Sequence, residues 1–553
     1  MPLNDAHTIF AAVAGGREIM ADTYMIGMDF GSESARGILV NARTGAQEGH
    51  HVHPYRNGIL THSLRGRSLP ANFVLQVADD YTEAAEIILS ALGKGRNVAG
   101  IGIDFTASSP MPARADGTAL SALYPDEPHA YVKLWKHSAQ AHADAINALG
   151  GDYLGNFGGK LSGEWMLAKA AQMRAEAPAL WAETGRFIEA GDWLVWQLTG
   201  NEARSLDFAS YKAQFSRETG YPEEIVPGLA ERLSKPLQVG SPAGSLTLEW
   251  RRRTGITGDA VVAVSVIDSH VVLPAVGAVG PGVFVGALGT SAGFLILDGE
   301  GRGLPQGLEG AAFGAALPDL WCYEAGQAAF GDMLAWYVKT FPRDDDLSRN
   351  FALHNEAAQA VSVGGGGVLA LDWFAGNRIP LADSMLSGLL VGLSLKSTSA
   401  GIYRALIEAL CFGTRSILDM AIAGGVPISR IVMTSGLARS NPFLVQTMAD
   451  VFGRTIEVPD VENPTALGAA IHAAVAAGIV GSFAEGAERL GARSLREFVP
   501  NLRHSKKYET LYAEYRRLAA DEELRRAMRS LHLFAARQNA HSQPESTNAE
   551  AAQ

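Results

Sequence analysis

From Tyr24 onward the run YMIGMDFGSESARGILVNARTG sets two apolar stretches on either side of a glycine and hydroxyl segment, which predicts a β-hairpin whose loop holds Gly31, Ser32, Ser34 and Arg36. About 260 residues later GVFVGALGTSAGFLILDGEG returns to the pattern, with a turn from Gly289 to Ser291 between two apolar strands. Such a repeat near the middle of a chain predicts two halves of common plan. The first half continues with an amphipathic helix from Asp80 to Leu92, then RNVAGIGIDFTASSPMP, a buried strand running into Asp104 and a loop of small residues. Between Gly163 and Gly200 the pattern is helical, and from Val261 to Leu297 it reads as a buried strand, a short helix and another buried strand. In the second half GIYRALIEALCFGTRSILDMAIAGG predicts a long helix packed on the strand RIVMTSG, followed by a loop with turn chemistry from Ala438 to Phe443 and a second helix. From Arg503 to Arg537 a helical stretch carries mixed charges and few large apolar residues, and QPESTNAEAAQ after it reads as a disordered tail.

Length turns the repeat into a domain plan. The 553 residues exceed one ordinary core, so two large domains are expected, over 24–283 and 284–501. Residues 1–23 read as an N-terminal extension and 502–553 as a helical extension with its tail. The composition, 47% hydrophobic and 19% charged, is that of a globular protein, and a net charge of −12 argues against a nucleic-acid surface. A small-molecule partner is expected. Only Cys322 and Cys411 occur, which excludes a disulfide framework and fits a reducing cytoplasm. The segment from Val261 to Leu297 is broken by glycines, Pro274 and Pro281, so it is read as core and no membrane span is expected. The first residues lack a clean cleavage pattern, so no signal peptide is expected.

The two turns carry the first candidate chemistry. Successive backbone N–H groups bind phosphate where glycine allows close approach, which Gly31 and Gly289 supply. Ser32, Ser34, Thr290 and Ser291 add hydroxyls, Arg36 offers a cation, and Asp29 at its strand end suits Mg²⁺ held partly through water. Taken singly, either turn is more readily a simple hairpin; paired, with Asp29 attached, they favour a phosphate cleft. Asp268, in VVAVSVIDSHVVLPAVGAV, is costly to ionise among apolar neighbours. It reads equally as a general base or as a helix cap, and His270 beside it reads as a packing or supporting residue. TSGLARSN offers a glycine turn on the adenosine side, whereas NPTALGAAIHAAVAAG is as readily a closely packed helix.

In order, DFGSESARG, DFTASSPMP, VIDSH, GALGTS, YEAGQAAFGD, MTSGLARSN and NPTALGAAIHAAVAAG resemble the FGGY carbohydrate kinases, from about Tyr24 to Asn501. Within that family DFTASSP, LWKHSAQAH, GQAAFGDMLAW and LDWFAGNRIP look most like the ribulokinase branch. The resemblance implies an α/β fold of two actin/hexokinase-like (ribonuclease H-like) domains with a central cleft, using ATP and Mg²⁺ on a ketopentose such as L-ribulose. It places Asp268 on the catalytic base and Asp29 beside the metal. Gly31, Ser32, Ser34, Arg36, Gly289 and Thr290 fall to the phosphates, and Gly436 and Asn441 to the adenosine side. Asp104, Ser109, Lys212 and Glu324 fall to the sugar, Lys212 on the short match YKAQF. Two positions depart: Thr434-Ser435-Gly436 stands where many relatives have two glycines, and Gly31-Ser32 where Gly-Thr is common. Another sugar kinase of the family, acting on xylulose, D-ribulose or a polyol, remains open. So do an actin- or chaperone-like ATPase, a sugar sensor without catalysis, and assembly as a homodimer.

Overall fold

The structure, a computed structural model, describes residues 22–222 and 225–541; residues 1–21 of the expected extension and the tail from Ser542 lie outside the described residues. In the first of two seven-stranded sheets, β1 (Thr23–Phe30), β2 (Ser34–Asn41) and β3 (Gln47–Pro54) form an antiparallel meander, and β4 (Asn97–Phe105) lies parallel to β1. Beyond β4 come β5 (Pro242–Ser245) at the edge and β6 (Val261–Ala263), and β7 (Val266–Ile267) also pairs with β4. The second sheet repeats the plan. Its strands β8 (Val283–Leu288) and β9 (Ala292–Asp298) form the hairpin, with β10 (Gly310–Phe313) and β11 (Trp321–Gln327) following antiparallel. On the other side β12 (Arg430–Thr434) lies parallel to β8, and β13 (Ile456–Pro459) and β14 (Leu495–Phe498) complete the sheet. The weak sequence repeat is thus a repeat of topology: a hairpin, a third antiparallel strand, and a parallel neighbour on the hairpin's first strand. Helices cover both faces of each sheet's centre, which is why β1 is almost wholly buried and reads as a continuous apolar run.

Helix α1 (Ala78–Gly93) covers the predicted segment, while the stretch after Gly163, read as helical, contains the strand Arg186–Glu189 between helices. Helices α2 (Leu206–Ala213) and α3 (Asp268–Ala275) bring Lys212 and Asp268 to a shared cavity, and α4 (Gly331–Thr340) begins against the second turn. The long helix α5 (Ser399–Ala423) forms as expected, but its chief strand contacts are with Leu369–Leu371 and β11 rather than with β12, the strand on which it was expected to pack. After β12 the expected loop is instead a short helix, α6 (Ser435–Ser440), and Asn441 caps α7 (Pro442–Phe452). Ser435 opens α6 at φ +78°, a conformation that glycine adopts most readily.

Helix α8 (Pro464–Ala476) belongs to the second half by sequence but packs on β1, β4 and α3 of the first. The contact depends on missing side chains. A Cβ on Gly102 would stand 1.8 Å from the Ala469 carbonyl oxygen, and one on Gly468 would stand 1.8 Å from that of Val271. The apolar cluster around α8 joins Met25, Ile38 and Val40 to Val285, Leu297 and Val432, so the two domains share a core at the base of the cleft.

Residues from 502, expected as a helical extension, form helices that pack into the second domain. In α9 (Leu502–Ala519), Tyr508, Tyr512 and Tyr515 lie at helical spacing and are buried in the second domain's core, and Met528 of α10 (Glu522–His541) joins them. Their hydroxyls reach Glu408, Asp419 and Asp372, so buried phenols do the work usually given to aliphatic side chains.

Candidate active site

The parallel register of β1 and β4 sets Asp29 beside Asp104, and pairing of β7 with β4 brings Asp268 to the same end of the sheet. Asp29 accepts a hydrogen bond from Thr465 Oγ1 at 2.7 Å, at the start of α8, and lies 3.3 Å from Arg36 Nε. Asp104 is fully enclosed, and neither of its oxygens meets a hydrogen-bond donor among the described residues. Burial first, then the charges of Asp29 and Asp268, lift its pKa well above the usual carboxylate range. Asp268 is the first residue of α3, with Ile267 in the capping position. Its Oδ1 accepts the Ser269 N–H at 2.7 Å, and burial, followed by the Asp29 charge, raises its pKa to about 6.

Asp268 lies on the wall of a cavity of about 270 Å³ that also presents Thr106, Trp135, Trp165, Lys212 and Glu324, together with Glu164, Glu309 and Arg378. Lys212, from α2, stands 3.6 Å from Glu324 Oε1 on β11. Burial alone would raise the Glu324 pKa, but the charges of Lys212 and His270 override it and carry it to about 2. Two of the four expected sugar contacts are therefore together on the wall. The other two are not: Asp104 and Ser109 are fully enclosed and do not line the cavity. Ser109 donates its backbone N–H to Glu189 at 2.6 Å and its hydroxyl bonds with Thr106, so it secures the loop whose Thr106 and Ala107 face the cavity.

The first turn is held by side chains. Trp135 Nε1 donates to Ser32 Oγ at 2.9 Å, and Gln76 donates to the Ser32 carbonyl at 2.6 Å. Gly31 N–H closes the turn on the Ser34 carbonyl, and Arg36 is exposed on β2. In the second turn Gly289, Thr290 and Ser291 are exposed, and their loop rests on the N-terminus of α4 through Phe330, Gly331 and Asp332 N–H groups. Gly436 is exposed at the start of α6. The Asn441 side chain is occupied otherwise than expected: Oδ1 accepts the Leu444 N–H and Nδ2 donates to Asn355. Asn441 thereby shapes an open cavity of about 530 Å³ with Asn355, Gln359, Phe443 and Gln446.

Among the described residues no three acidic, histidine or cysteine side chains converge as a complete metal site. The donor-less Asp104 beside Asp29 still fits a cation that takes one or two carboxylates and fills its shell with water and phosphate. Thr465, Trp135, Glu309 and Arg378 escaped the sequence reading. Trp135 sits in LWKHSAQAH and Arg378 in LDWFAGNRIP, motifs noted only as strings, whereas nothing local marks Glu309.

Residues 285–477 match the C-terminal domain of the FGGY family of carbohydrate kinases. The ribulokinase of Mycolicibacterium smegmatis is 39% identical over 527 residues, covering 90% of this chain and 93% of that one. The ribulokinase of Halalkalibacterium halodurans is 38% identical, covering 90% and 94%. In fold the chain matches the xylulose kinase of Rhodospirillum rubrum, with a TM-score of 0.78 at 20% identity over 90% of this chain and 98% of that one. It likewise matches the glycerol kinase of Plasmodium falciparum with ADP, with a TM-score of 0.76 at 15% identity over 91% and 99%.

Proposed function

The chain belongs to the FGGY family of carbohydrate kinases, and from that premise we propose that it phosphorylates L-ribulose, or a related 2-ketopentose, at its terminal hydroxyl. The products are the 5-phosphate and ADP. The observation that carries this reading is the placing of Asp268 on the wall of the cavity that holds Glu324 and Lys212, at the strand ends beside the first turn. Glu324 and Lys212 bind sugar hydroxyls, with Glu164, Glu309 and Arg378 as further polar partners. ATP lies toward the second domain, its phosphates on Gly289, Thr290 and Ser291 and its adenosine toward Gly436 and the cavity beside Asn441. Gly31, Ser32, Ser34 and Arg36 approach the transferring group from the first domain. Asp29, with Asp104 behind it, would hold Mg²⁺, whose charge offsets that of the phosphates.

Closure of the domains about their shared core excludes water and brings the terminal hydroxyl in line with the γ-phosphorus. As the sugar oxygen bonds to phosphorus, Asp268 takes the hydroxyl proton and the bond to ADP breaks with its electron pair on the departing oxygen. A pKa of about 6 keeps Asp268 largely ionised at neutral pH while leaving it more basic than an ordinary aspartate. The buried, unpaired Cys322 and Cys411 suit a reducing cytoplasm, where we place the protein.

ADP-release kinetics across the four 2-ketopentoses and their polyols test the reading. L-ribulose is expected to give the highest kcat/KM. Preference for a xylulose or a polyol would assign another substrate within the family, and ATP hydrolysis indifferent to every sugar would remove the kinase reading.

A further inference from the structure

His270 follows Asp268 by two residues on α3 and is fully buried, with both ring nitrogens engaged. Nδ1 meets Asp207 Oδ1 at 2.7 Å and Nε2 meets Glu324 Oε1 at 2.9 Å. A ring that donates from both nitrogens is an imidazolium: burial would lower its pKa, but Asp207 and Glu324 carry it to about 9. The other oxygen of Asp207, Oδ2, accepts the backbone N–H of Ile267 at 3.0 Å. Asp207 thus grips the chain on both sides of Asp268, once at the preceding amide and once at the ring two residues on. It is itself held, because its N–H is capped by Ser205 Oγ at 3.2 Å at the start of α2.

The far end of this chain of contacts is in the other domain. Glu324 lies on β11 of the second sheet, where its Oε1 takes both His270 and Lys212, leaving Oε2 with no donor among the described residues. A second strut runs alongside. Tyr211, whose ring meets His270 edge-on at 4.6 Å between centroids, donates its hydroxyl to the Cys322 carbonyl at 2.5 Å, two residues from Glu324.

We propose that Asp207 and His270 are positioning residues that link the sugar pocket to the base: a sugar hydroxyl on Glu324 is coupled through His270 and Asp207 to the backbone that aims Asp268. Their effect is on the placing of Asp268 during turnover, with no contact to ATP. The link rests on the reading of Asp268 as base, and the test separates the two.

Asp207→Asn keeps an acceptor for Ile267 and removes the charge facing His270. It is expected to lower kcat by about 10- to 100-fold, as loss of a supporting hydrogen-bond partner does, with KM for ATP unchanged and the protein fully folded by circular dichroism and thermal melting. His270→Gln is expected to lower kcat and also to raise KM for the sugar, since Glu324 loses its partner. Should the single Asp207 variant fail to fold because it leaves a buried imidazolium unpaired, Asp207→Asn/His270→Gln removes both charges together. That double variant should cost no more than the worse single change, as members of one unit do. A folded Asp207→Asn or double variant with kcat within twofold of wild type overturns the link, as does a loss of activity that only tracks the folded fraction. If Asp268→Asn itself stays active, the base assignment has failed; if it is inactive while these variants turn over normally, only the link has.

Discussion

The two glycine and hydroxyl turns occupy equivalent places in two sheets of one topology, yet they are held in opposite ways. The first is fixed by side chains: Trp135 and Gln76 on Ser32, and Thr465 and Arg36 on Asp29. The second, among the described residues, is hydrogen-bonded through backbone groups at the N-terminus of α4, and Thr290 and Ser291 are exposed. Side-chain anchors connect a turn to whatever else those side chains touch, and Trp135 also lines the cavity proposed for the sugar. The second turn instead meets that cavity directly, through Ser291. On the proposed function, one plan yields a first turn coupled to the sugar through Trp135 and a second turn whose exposed groups are open to the phosphates of ATP.

The largest expected break in this comparison is at the carboxylates beside the first turn. Asp268→Asn should fold normally and lose about 10²- to 10⁴-fold in kcat, the range of a general base, measured by ADP release at saturating sugar and ATP. At the second turn, Gly331→Ala would set a Cβ 2.7 Å from the Gly289 carbonyl oxygen and displace the turn. Its KM for ATP should rise between about 10- and 100-fold, the cost of misplacing a binding group by about an ångström, with KM for the sugar unchanged. At the first turn, Trp135→Phe unhooks Ser32 while keeping an aromatic wall. Here the sugar KM should rise and kcat fall by about 10-fold, and an effect confined to ATP would refute the asymmetry.

The smallest effect is on stability. The folded pKa of Asp104 stands above its unfolded value, so its carboxyl destabilises the fold progressively as pH rises from about 4, the unfolded value, toward the raised one. Asp104→Asn should therefore leave the melting temperature unchanged near pH 4 and raise it on the order of 1–3 °C at pH 8. KM for the sugar should not change, because Asp104 does not line the cavity.

Much of the plan was legible in the chain. The hairpins, the long helix and the strand and helix around Asp268 follow from apolar periodicity and glycine placement, which act over a few residues. The C-terminal tyrosines of α9 were legible too, at helical spacing, but phenols among many charges resemble a solvated face until the core that receives them is known. Other facts had no local signal. Nothing near Asp207 points to the amide of Ile267, and nothing near His270 points to a carboxylate on another sheet.

The sequence by itself determined the two-domain plan, the two turns and the carboxylates at strand ends, because strand, turn and helix preferences are short-range. Only the tertiary structure decided which of those groups line the cavity. It enclosed Asp104 and Ser109, turned Lys212 onto Glu324, and placed His270 between two domains. The physical reason is that exposure, charge and pKa depend on neighbours brought together from distant parts of the chain, as α8 is brought against β1 and β4 by glycines far from it in sequence.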